Sequence, residues 1–314
     1  MNAKPRDDAF ELNRLIEGDA TDVLGGFPEA CVDLIATSPS YWTAVDYGDG
    51  RPPQGYGNYL NALDRVWAEC ERVLHPNGKM AINTALMSIP KAVIKQQIRH
   101  LKGIPLDIHQ RIMAYTGLEF LELVIWQKQT SKAMLGPYPN PGNHLVNNTA
   151  EFIYVYRKPG KARSIPREIK EASTIPIELH RDLTQQVWWM YPQDVKRAEG
   201  HPAPFPEKLP GRLIRLYTFI GDVVLDPFCR TGTTCAVAKT MGRRWLGIDI
   251  NPAFLESAAE RIEAAIDPPV LEIGHPRWPT KAELQQEVAT KSKTQLERKH
   301  KRLRFGRSVE IQVE

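Results

Sequence analysis

The chain of 314 residues is long enough for one large α/β domain with insertions, since single hydrophobic cores stop growing near ~250–300 residues. Its composition, 42% hydrophobic and 25% charged, is that of a soluble globular protein, and no window approaches the ~18 consecutive apolar residues that a membrane span requires. The net charge is +4. The sequence has no secretory signal, which argues against an exported protein, and its four cysteines include no C-x-x-C pair, which argues against a disulfide framework. These features predict a cytoplasmic protein with reduced thiols.

In the first half of the chain, short apolar runs bounded by Gly and Pro predict buried strands, and longer stretches with apolar residues at helical spacing predict helices. The predicted strands lie at residues 13–19, 32–37, 79–83, 121–127 and 151–157, and the predicted helices lie around residues 23–24 and at 60–74 and 107–116. The turn residues 75–78 are expected to end the second helix, and Gly117 is expected to cap the third.

Two polar segments, 131–149 and 158–202, follow no helical or strand period and are expected to be functional loops or disordered segments. Helices are then predicted at 207–219, 232–241 and 251–266, and strands at 222–225 and 245–250. Asn251 is expected to be the N-cap of the last of these helices. The alternation of strands and helices predicts an α/β fold with a doubly wound, mostly parallel sheet.

The C-terminal segment holds much of the positive charge. Residues 291–307 contain eight Lys or Arg and one Glu. Thr280 and Glu283 form a T-x-x-E capping box, which predicts the start of a basic helix. This composition fits a polyanion partner as well as it fits a solvated, charged helix end.

The strongest motif is a strand that runs into a glycine-containing turn and then into a helix, at residues 222–234. In α/β sheets, such a turn at the carboxyl end of a strand binds a nucleoside-bearing ligand against the N–H groups of the helix. The next predicted strand ends near Asp249, a carboxylate suited to two ribose hydroxyls. Because the segment has neither G-x-G-x-x-G nor G-K-[ST], the pattern favours a cofactor without phosphates.

A second motif, the sequence TSPSYW at residues 37–42, directly follows an apolar strand. A polar residue, a proline and an aromatic residue at the end of a parallel strand indicate a functional turn. An ordinary Ser-Pro strand exit is the alternative interpretation of the same residues.

Both motifs resemble those of amino-group DNA methyltransferases. The sequence Ser38-Pro39-Ser40-Tyr41 is similar to their (Asp/Asn/Ser)-Pro-Pro-(Tyr/Phe) catalytic motif, and residues 226–234 resemble their D-P-F-x-G-x-G-T cofactor motif. The order of the two motifs is similar to that of the permuted β group, which is common in restriction-modification systems. The resemblance covers roughly residues 13–266 and implies a Rossmann-like methyltransferase fold, with a seven-stranded sheet that contains an antiparallel strand.

This resemblance implies S-adenosylmethionine as the cofactor and no metal. The residues expected to hold the cofactor are Asp19, Phe205, Pro206, Asp226, Pro227, Phe228, Gly232, Thr233, Thr234 and Asp249. Asp19 is equally suited to be a helix N-cap. The chain departs from the family in two places, because Ser40 replaces the second proline of the catalytic motif and Arg230 replaces the first glycine of the cofactor motif. A side chain at 230 is expected to crowd the cofactor or to require an unfavourable φ.

The resemblance also implies a mechanism. The Ser38 hydroxyl and the Pro39 carbonyl are expected to accept the hydrogens of a target amine, while Tyr41 stacks on a base flipped out of the duplex. The methyl group would pass directly in line, with catalysis by positioning and oriented dipoles. Serine in the first motif position usually accompanies cytosine, so N4-cytosine methylation is expected. Adenine N6 methylation, action on RNA, and a DNA-binding protein with a degenerate cofactor pocket are the alternatives. A metabolic dehydrogenase is a further alternative, which has the same α/β order but would need the dinucleotide turn that the chain lacks.

The expected organisation places a catalytic half at 10–157, a cofactor-binding half of the same domain at 201–268, and a basic extension at 269–314. Residues 158–200, together with the loop 131–149, are the expected target-recognition region. The expected DNA-binding residues are Lys132, Asn143, Asn147 and Asn148. Expected partners are double-stranded DNA and a cognate restriction endonuclease, with no membrane partner, and the chain is expected to be a monomer or homodimer.

Overall fold

Strands and helices alternate through the part of the chain that the computed structural model describes, residues 11–40, 42, 55–89, 100–128, 141, 148–190 and 206–265. The strands are β1 (Arg14–Glu17), β2 (Val32–Thr37), β3 (Leu74–Thr84), β4 (Met87–Ile89), β5 (His100–Lys102), β6 (Glu119–Gln127), β7 (Ala150–Arg157), β8 (Val187–Trp189), β9 (Val223–Asp226) and β10 (Arg244–Asp249). The helices are α1 (Ala20–Gly25), α2 (Tyr56–Val73), α3 (Ile104–Tyr115), α4 (Arg167–Ala172), α5 (Ile177–Leu183), α6 (Lys208–Tyr217), α7 (Thr233–Thr240) and α8 (Pro252–Ala264).

Within the described ranges, eight strands form the main sheet in the order β1-β10-β9-β2-β3-β7-β6-β8, and β4 pairs with β5 separately. The strand β7 runs antiparallel to both of its neighbours, and the other pairs in the main sheet are parallel. This arrangement confirms the predicted α/β fold with a mostly parallel sheet and an antiparallel strand. The short edge strand β8 adds an eighth strand to the expected seven.

The strand order reverses between β9 and β2. From β9 the chain passes through α7 to β10 on one side, whereas from β2 it passes through α2 to β3 on the other side. In open α/β sheets, such a reversal leaves a crevice outside the carboxyl ends of the two central strands, and ligands bind there. Residues that follow Thr37 and Asp226 therefore lie at the position where this fold binds ligands.

Helices cover both faces of the sheet. Apolar residues of α1, α2 and α3 share one buried cluster, and those of α6, α7 and α8 share the other. In α2 the buried residues recur at helical spacing, which places Leu63, Trp67 and Cys70 on the face that meets the sheet. Burial of each large apolar side chain contributes about 2–3 kcal/mol, so these two layers hold the strand ends in place.

Several predicted boundaries differ from the structure. The turn expected at 75–78 belongs instead to the start of β3, where Asn77 has φ +65° and the register against β2 shifts. Gly117 does not cap α3, because Thr116 is the C-cap residue in an extended conformation and the Gly117 N–H donates to Glu71 Oε1 at 2.9 Å. Asn251 does cap α8, accepting from the Ala253 N–H at 3.0 Å, as predicted.

The segment 158–202, expected to lack regular structure, contains α4, α5 and β8. These elements are only three to seven residues long, so no window carries a clear period. The predicted capping box at Thr280 and Glu283 lies outside the described residues. None of the helices in the described ranges is both long and apolar enough to cross a membrane.

The amino ends of the central strands are joined by an ion-pair cluster, here called the amino-end clamp and made of Arg163, Asp33 and Asp222. Arg163 forms ion pairs with Asp222 and, at 3.4 Å, with Asp33 Oδ1. Backbone N–H groups also donate to the two carboxylates, from Val223 to Asp33 at 2.9 Å and from Phe219 to Asp222 at 3.0 Å. Burial and the neighbouring Asp33 raise the pKa of Asp222, and Arg163 opposes this rise. The clamp ties β2 and β9 together at the end opposite the crevice.

Candidate active site at the carboxyl end of the sheet

The catalytic turn, residues 38–40, leaves the end of β2. All six residues of β2 are buried, and the following Ser38 is only 4% exposed. The Ser40 carbonyl accepts a hydrogen bond from Tyr59 Oη at 2.7 Å, which fixes the turn against α2. Tyr41 lies outside the described residues. Trp42 packs edge-on against Tyr56, with ring centroids 5.0 Å apart, so its ring lies against the first apolar cluster.

The cofactor turn, residues 226–232, joins β9 to α7. The Arg230 N–H donates to Asp249 Oδ2 at 2.9 Å, and the Asn251 N–H donates to Asp249 Oδ1 at 2.9 Å. Gly232 has φ +70°, and a Cβ there would lie 2.8 Å from the Ala258 Cβ, so the turn requires glycine at this position. The turn is thus held on one side by Asp249 of β10 and on the other by α8.

Arg230 has an unfavourable backbone conformation, with φ +46°, which is one of the two consequences expected of a side chain at this position. A non-glycine residue in the left-handed region costs about 1–2 kcal/mol. The charge-assisted hydrogen bond from its backbone N–H to Asp249 offsets part of this cost. The side chain of Arg230 is 9% exposed and lowers the pKa of the nearby Asp226 carboxyl.

The two turns meet at Asp226. Thr37 Oγ1 donates to Asp226 Oδ1 at 2.6 Å, the Phe228 N–H donates to the same oxygen at 3.1 Å, and the nearby hydroxyl of Thr234 lowers the pKa of this carboxyl. Asp226 is 2% exposed, and burial raises its pKa to about 6 against the opposing effect of these hydrogen bonds. The catalytic and cofactor turns therefore lie side by side, although 189 residues separate Thr37 from Asp226.

Asp19 lies at the same edge of the sheet, at the end of β1. The neighbouring strand ends are paired, since Glu17 aligns with Asp249 and the Gly18 N–H donates to the Asp249 carbonyl at 3.0 Å. The Asp19 side chain accepts from the Thr21 N–H at 2.9 Å and caps α1, as one of its two predicted roles requires. Its position next to the end of β10 is compatible with the other role, at the cofactor.

Two further predicted site residues are described, and others lie outside the described chain. Pro206 is buried, and its carbonyl accepts from Leu209 at 2.9 Å at the start of α6. Asn148 Nδ2 donates to the Leu86 carbonyl at 2.6 Å, so its amide nitrogen joins two strand ends. The remaining four predicted site residues, Phe205, Lys132, Asn143 and Asn147, lie outside the described residues.

A buried polar cluster that sequence reasoning missed lies at the same edge. Glu151, at 7% exposure, accepts from Asn83 Nδ2 and from Lys128 Nζ, each at 2.6 Å. The β2–β3 register aligns Thr37 with Ile82, so Asn83 lies beside Ser38 on the neighbouring strand. A polar residue at the end of each of three apolar strands was the available signal, because strand ends on one edge of a sheet converge.

The described residues include no group of three or more His, Cys, Asp or Glu side chains arranged to hold a metal ion. All four cysteines are buried. Burial raises the pKa of Cys70, Cys229 and Cys235, which keeps these thiols protonated. The site therefore offers hydroxyls, carboxylates and backbone groups, and its thiols are not activated as nucleophiles.

Comparison with known proteins adds three findings. A family model described as a DNA methylase matches residues 32–260, which include both turns. TTHA0409 from Thermus thermophilus, described as a candidate DNA modification methylase and solved in complex with S-adenosyl-L-methionine, has a TM-score of 0.67 and 36% sequence identity, over 81% of this chain and 94% of that chain. The Type II methyltransferase M.MjaI from Methanocaldococcus jannaschii is 33% identical over 220 residues, 67% of this chain and 69% of that protein.

A further relative is named for the base that it methylates. The DNA adenine methyltransferase YhdJ from Escherichia coli is 28% identical over 258 residues, 81% of this chain and 84% of that protein. The family relationship thus covers both turns and most of the described sheet.

Proposed function

The chain belongs to the DNA methylase family, and we propose that it transfers a methyl group from S-adenosylmethionine to the exocyclic N4 amine of cytosine in double-stranded DNA. The hydrogen bond from Thr37 to Asp226 carries this proposal, because it brings the catalytic and cofactor turns together at the reversal of strand order. If the two turns lay at opposite edges of the sheet, an amine held by the Ser-Pro motif would be too far from a methyl donor bound at the cofactor turn.

The cofactor turn is chemically suited to S-adenosylmethionine. Each carboxylate oxygen of Asp249 accepts one backbone N–H and keeps a further lone pair, so the pair can still accept from two ribose hydroxyls. The N-terminus of α7 faces the crevice without the glycine spacing or lysine that phosphates require. S-adenosylmethionine, when bound, supplies a methyl group on a positively charged sulfur. The 36% identity to TTHA0409, which was solved with this compound, supports the assignment.

The catalytic turn activates the amine. The lone pair of an exocyclic amine is delocalised into the base, so the nitrogen is a poor nucleophile until acceptors hold its hydrogens and let it become pyramidal. Ser38 Oγ and the Pro39 carbonyl are these acceptors in the proposal, and their burial strengthens the interaction. With S-adenosylmethionine bound, the nitrogen held by Ser38 and Pro39 would take the methyl group as the carbon–sulfur bond breaks, and the amine would release one proton to water.

The target base has to leave the duplex to reach this buried turn. A stacked base cannot present its amine at the bottom of a crevice, so we propose base flipping, with Tyr41 as the stacking surface. The direct, in-line route is favoured because the described thiols are protonated and do not provide a covalent nucleophile.

Two segments of the chain are proposed for target recognition. We propose that the segment 158–200 and the loop 131–149 read the site, with Lys132, Asn143, Asn147 and Asn148 at the DNA. The amide nitrogen of Asn148 is engaged by Leu86, so this residue would act through its side-chain oxygen. Sequence-specific binding of this kind suits a methyltransferase that protects the site of a cognate endonuclease.

Methylation of adenine N6 is the second candidate. The 28% identity to YhdJ, a DNA adenine methyltransferase, favours it, whereas serine in the first position of the catalytic turn favours cytosine. Both amines have the same delocalised lone pair, so the acceptors of the turn suit either base.

The decisive test is nucleoside analysis after reaction. Purified protein is incubated with unmethylated plasmid DNA and labelled S-adenosylmethionine, and the digested nucleosides are separated by mass spectrometry. N4-methylcytosine is the expected product, and N6-methyladenine would transfer the activity to the second candidate. No methylated nucleoside, together with no heat of S-adenosylmethionine binding and intact DNA affinity, would identify a DNA-binding protein with a degenerate pocket.

The Ser38→Ala variant tests the catalytic turn. Its expected single-turnover rate is lower by about 100-fold, because one preorganised partner of the reacting group is lost. The matched control is Ser257→Ala in α8, whose hydroxyl donates to the Ala253 carbonyl within its own helix and whose rate should equal that of the wild type.

A further inference from the structure

Backbone pairing between β2 and β9 ends before the strands do. The paired residues are Leu34 with Val224 and Ile35 with Leu225, and no further pair follows in the described strands. Beyond them, Thr37 Oγ1 donates to Asp226 Oδ1 at 2.6 Å, and Thr234 Oγ1 donates to the Ala36 carbonyl at 3.3 Å. Thr37, Asp226 and Thr234 are here called the hydroxyl bridge, because side-chain hydroxyls replace the backbone ladder where the strands diverge.

We propose that Thr37 is a positioning residue whose hydroxyl, held by Asp226, sets the separation between the catalytic turn and the cofactor turn. The inference rests on the proposed function, since it concerns the alignment of a target amine with a methyl donor. Thr37 directly precedes Ser38, and Asp226 is the first residue of the cofactor turn. A change in the length of this one bond therefore moves the two reacting groups relative to each other.

The bridge is short and rigid enough for this purpose. Thr37 is 3% exposed and Asp226 is 2% exposed, so water does not compete for the hydrogen bond. The distance of 2.6 Å is typical of a hydroxyl donating to a carboxylate, which is the stronger class of hydrogen bond. Misplacement of reacting groups by about 1 Å can lower a rate by about 100-fold, so a bond that fixes their separation affects the rate directly.

The groups around Asp226 determine how the bridge responds to pH. From its own turn, Arg230 favours the ionised carboxylate; around it lie the protonated thiols of Cys70 from α2, Cys229 from the turn and Cys235 from α7. The hydroxyls of the bridge also favour the ionised form, against burial. Removing the Thr37 hydroxyl should therefore raise the pKa of Asp226 above its value of about 6.

The test compares Thr37→Val, which removes the hydroxyl, with Thr37→Ser, which keeps it. At saturating DNA and S-adenosylmethionine, Thr37→Val should lower the single-turnover rate by about 10- to 100-fold and leave the dissociation constant for S-adenosylmethionine within about 3-fold. The acid limb of its rate profile should move to higher pH by about half a unit or more. Thr37→Ser should restore both the rate and the profile.

The matched control is Thr240→Val in α7, a buried threonine whose hydroxyl donates to the Val237 carbonyl at 2.9 Å and joins no turns. Its rate and pH profile should equal those of the wild type. The inference is overturned if Thr37→Val keeps the wild-type rate, if its whole defect lies in S-adenosylmethionine affinity, or if Thr37→Ser is as slow as Thr37→Val. Should the valine variant not fold, Thr37→Ala replaces it under the same criteria.

A second readout separates this inference from the proposed function. If the wild-type protein methylates neither base, the proposed function has failed. The bridge is then judged by the carboxyl pKa of ¹³C-labelled Asp226, followed by nuclear magnetic resonance during a pH titration. A higher pKa in Thr37→Val than in the wild type and in Thr37→Ser supports the bridge, and an unchanged pKa overturns it.

Discussion

The strand β9 is flanked by two buried aspartates that are held in different ways. Asp222, at its amino end, is 5% exposed and forms an ion pair with Arg163. Asp226, at its carboxyl end, is 2% exposed and accepts from the Thr37 hydroxyl and the Phe228 N–H. The two carboxylates are four residues apart, yet Asp222 forms an ion pair with Arg163, whereas the hydrogen bonds to Asp226 come from neutral donors and Arg230 acts on it only through its charge.

This difference follows from what each end of the sheet does. The amino-end clamp closes the sheet, where a buried carboxylate with an arginine contributes to stability as long as both charges are present. The carboxyl end has to leave room for a ligand between diverging strands, and directional hydroxyls fix a geometry there without filling the crevice. The comparison teaches that the amino end stabilises the fold, whereas the carboxyl end gives up some stability to position the reacting groups.

The largest expected effect comes from comparing alanine substitutions at two glycines with left-handed backbone conformation. Gly232 lies at the carboxyl end of the sheet, and Gly221 lies next to the amino-end clamp. Both have positive φ, at +70° and +82°, but only at Gly232 would a Cβ meet another atom within 4 Å, at 2.8 Å from Ala258. Gly232→Ala should lower the free energy of unfolding by about 4 kcal/mol and weaken S-adenosylmethionine binding at least about 10-fold. Gly221→Ala should cost about 1 kcal/mol and leave binding unchanged.

Denaturant unfolding and calorimetric titration measure the two effects. Equal losses of stability in the two variants would show that strain alone matters, and would remove the close approach of α8 from the account of the cofactor turn.

The next effect tests the clamp. Arg163→Met should lower the free energy of unfolding at pH 8 by about 3 kcal/mol, because Asp33 and Asp222 are left buried together. The pKa of Asp222 is already raised in the folded state, so its ionised form is costly at high pH and protonation relieves the cost. The destabilisation should therefore shrink between pH 8 and pH 5, while the methyl-transfer rate of the folded fraction stays unchanged.

The matched control is Arg167→Met, which removes an exposed ion pair with Glu171 and should change stability by less than about 0.5 kcal/mol. A loss of activity in folded Arg163→Met protein would contradict the division of roles between the two ends.

The smallest effect tests Asp226 itself through Asp226→Asn. The folded-state pKa of about 6 lies above the usual 3.8, so the native state binds the proton more tightly and stability falls as pH rises through this window. Asparagine does not titrate, so the Asp226→Asn variant does not lose this stability as pH rises. The difference in free energy of unfolding between variant and wild type should therefore shift in favour of the variant by about 2–3 kcal/mol from pH 4 to pH 7. The methyl-transfer rate should nevertheless decrease.

Chemical unfolding across this pH range provides the measurement. A relative stability that is independent of pH would mean that Asp226 titrates in the native protein as it does in the unfolded chain, and its burial would then carry no cost.

The sequence predicted the residues of the two turns better than the hydrogen bonds that join distant parts of the site. Ser38 was recognisable because it directly follows an apolar strand, and Gly232 because it ends the turn between an apolar strand and a helix. The cluster of Asn83, Lys128 and Glu151 was missed: each is a polar residue at the end of an apolar strand, but which of these strand ends meet is decided by the register. Thr37 was assigned no role, since nothing local indicates that its hydroxyl meets a residue 189 positions away.

Local sequence by itself determined the alternation of strands and helices and the cap of α8 at Asn251, because each depends on neighbouring residues only. Tertiary structure decided that β9 and β10 lie between β1 and β2, and that the Gly117 N–H donates to Glu71 instead of capping α3. It also decided that Asp222 and Asp226, at the two ends of β9, have different partners. These outcomes depend on which distant groups the packed helices and the strand order bring within hydrogen-bond distance, and no local pattern in the chain encodes that distance.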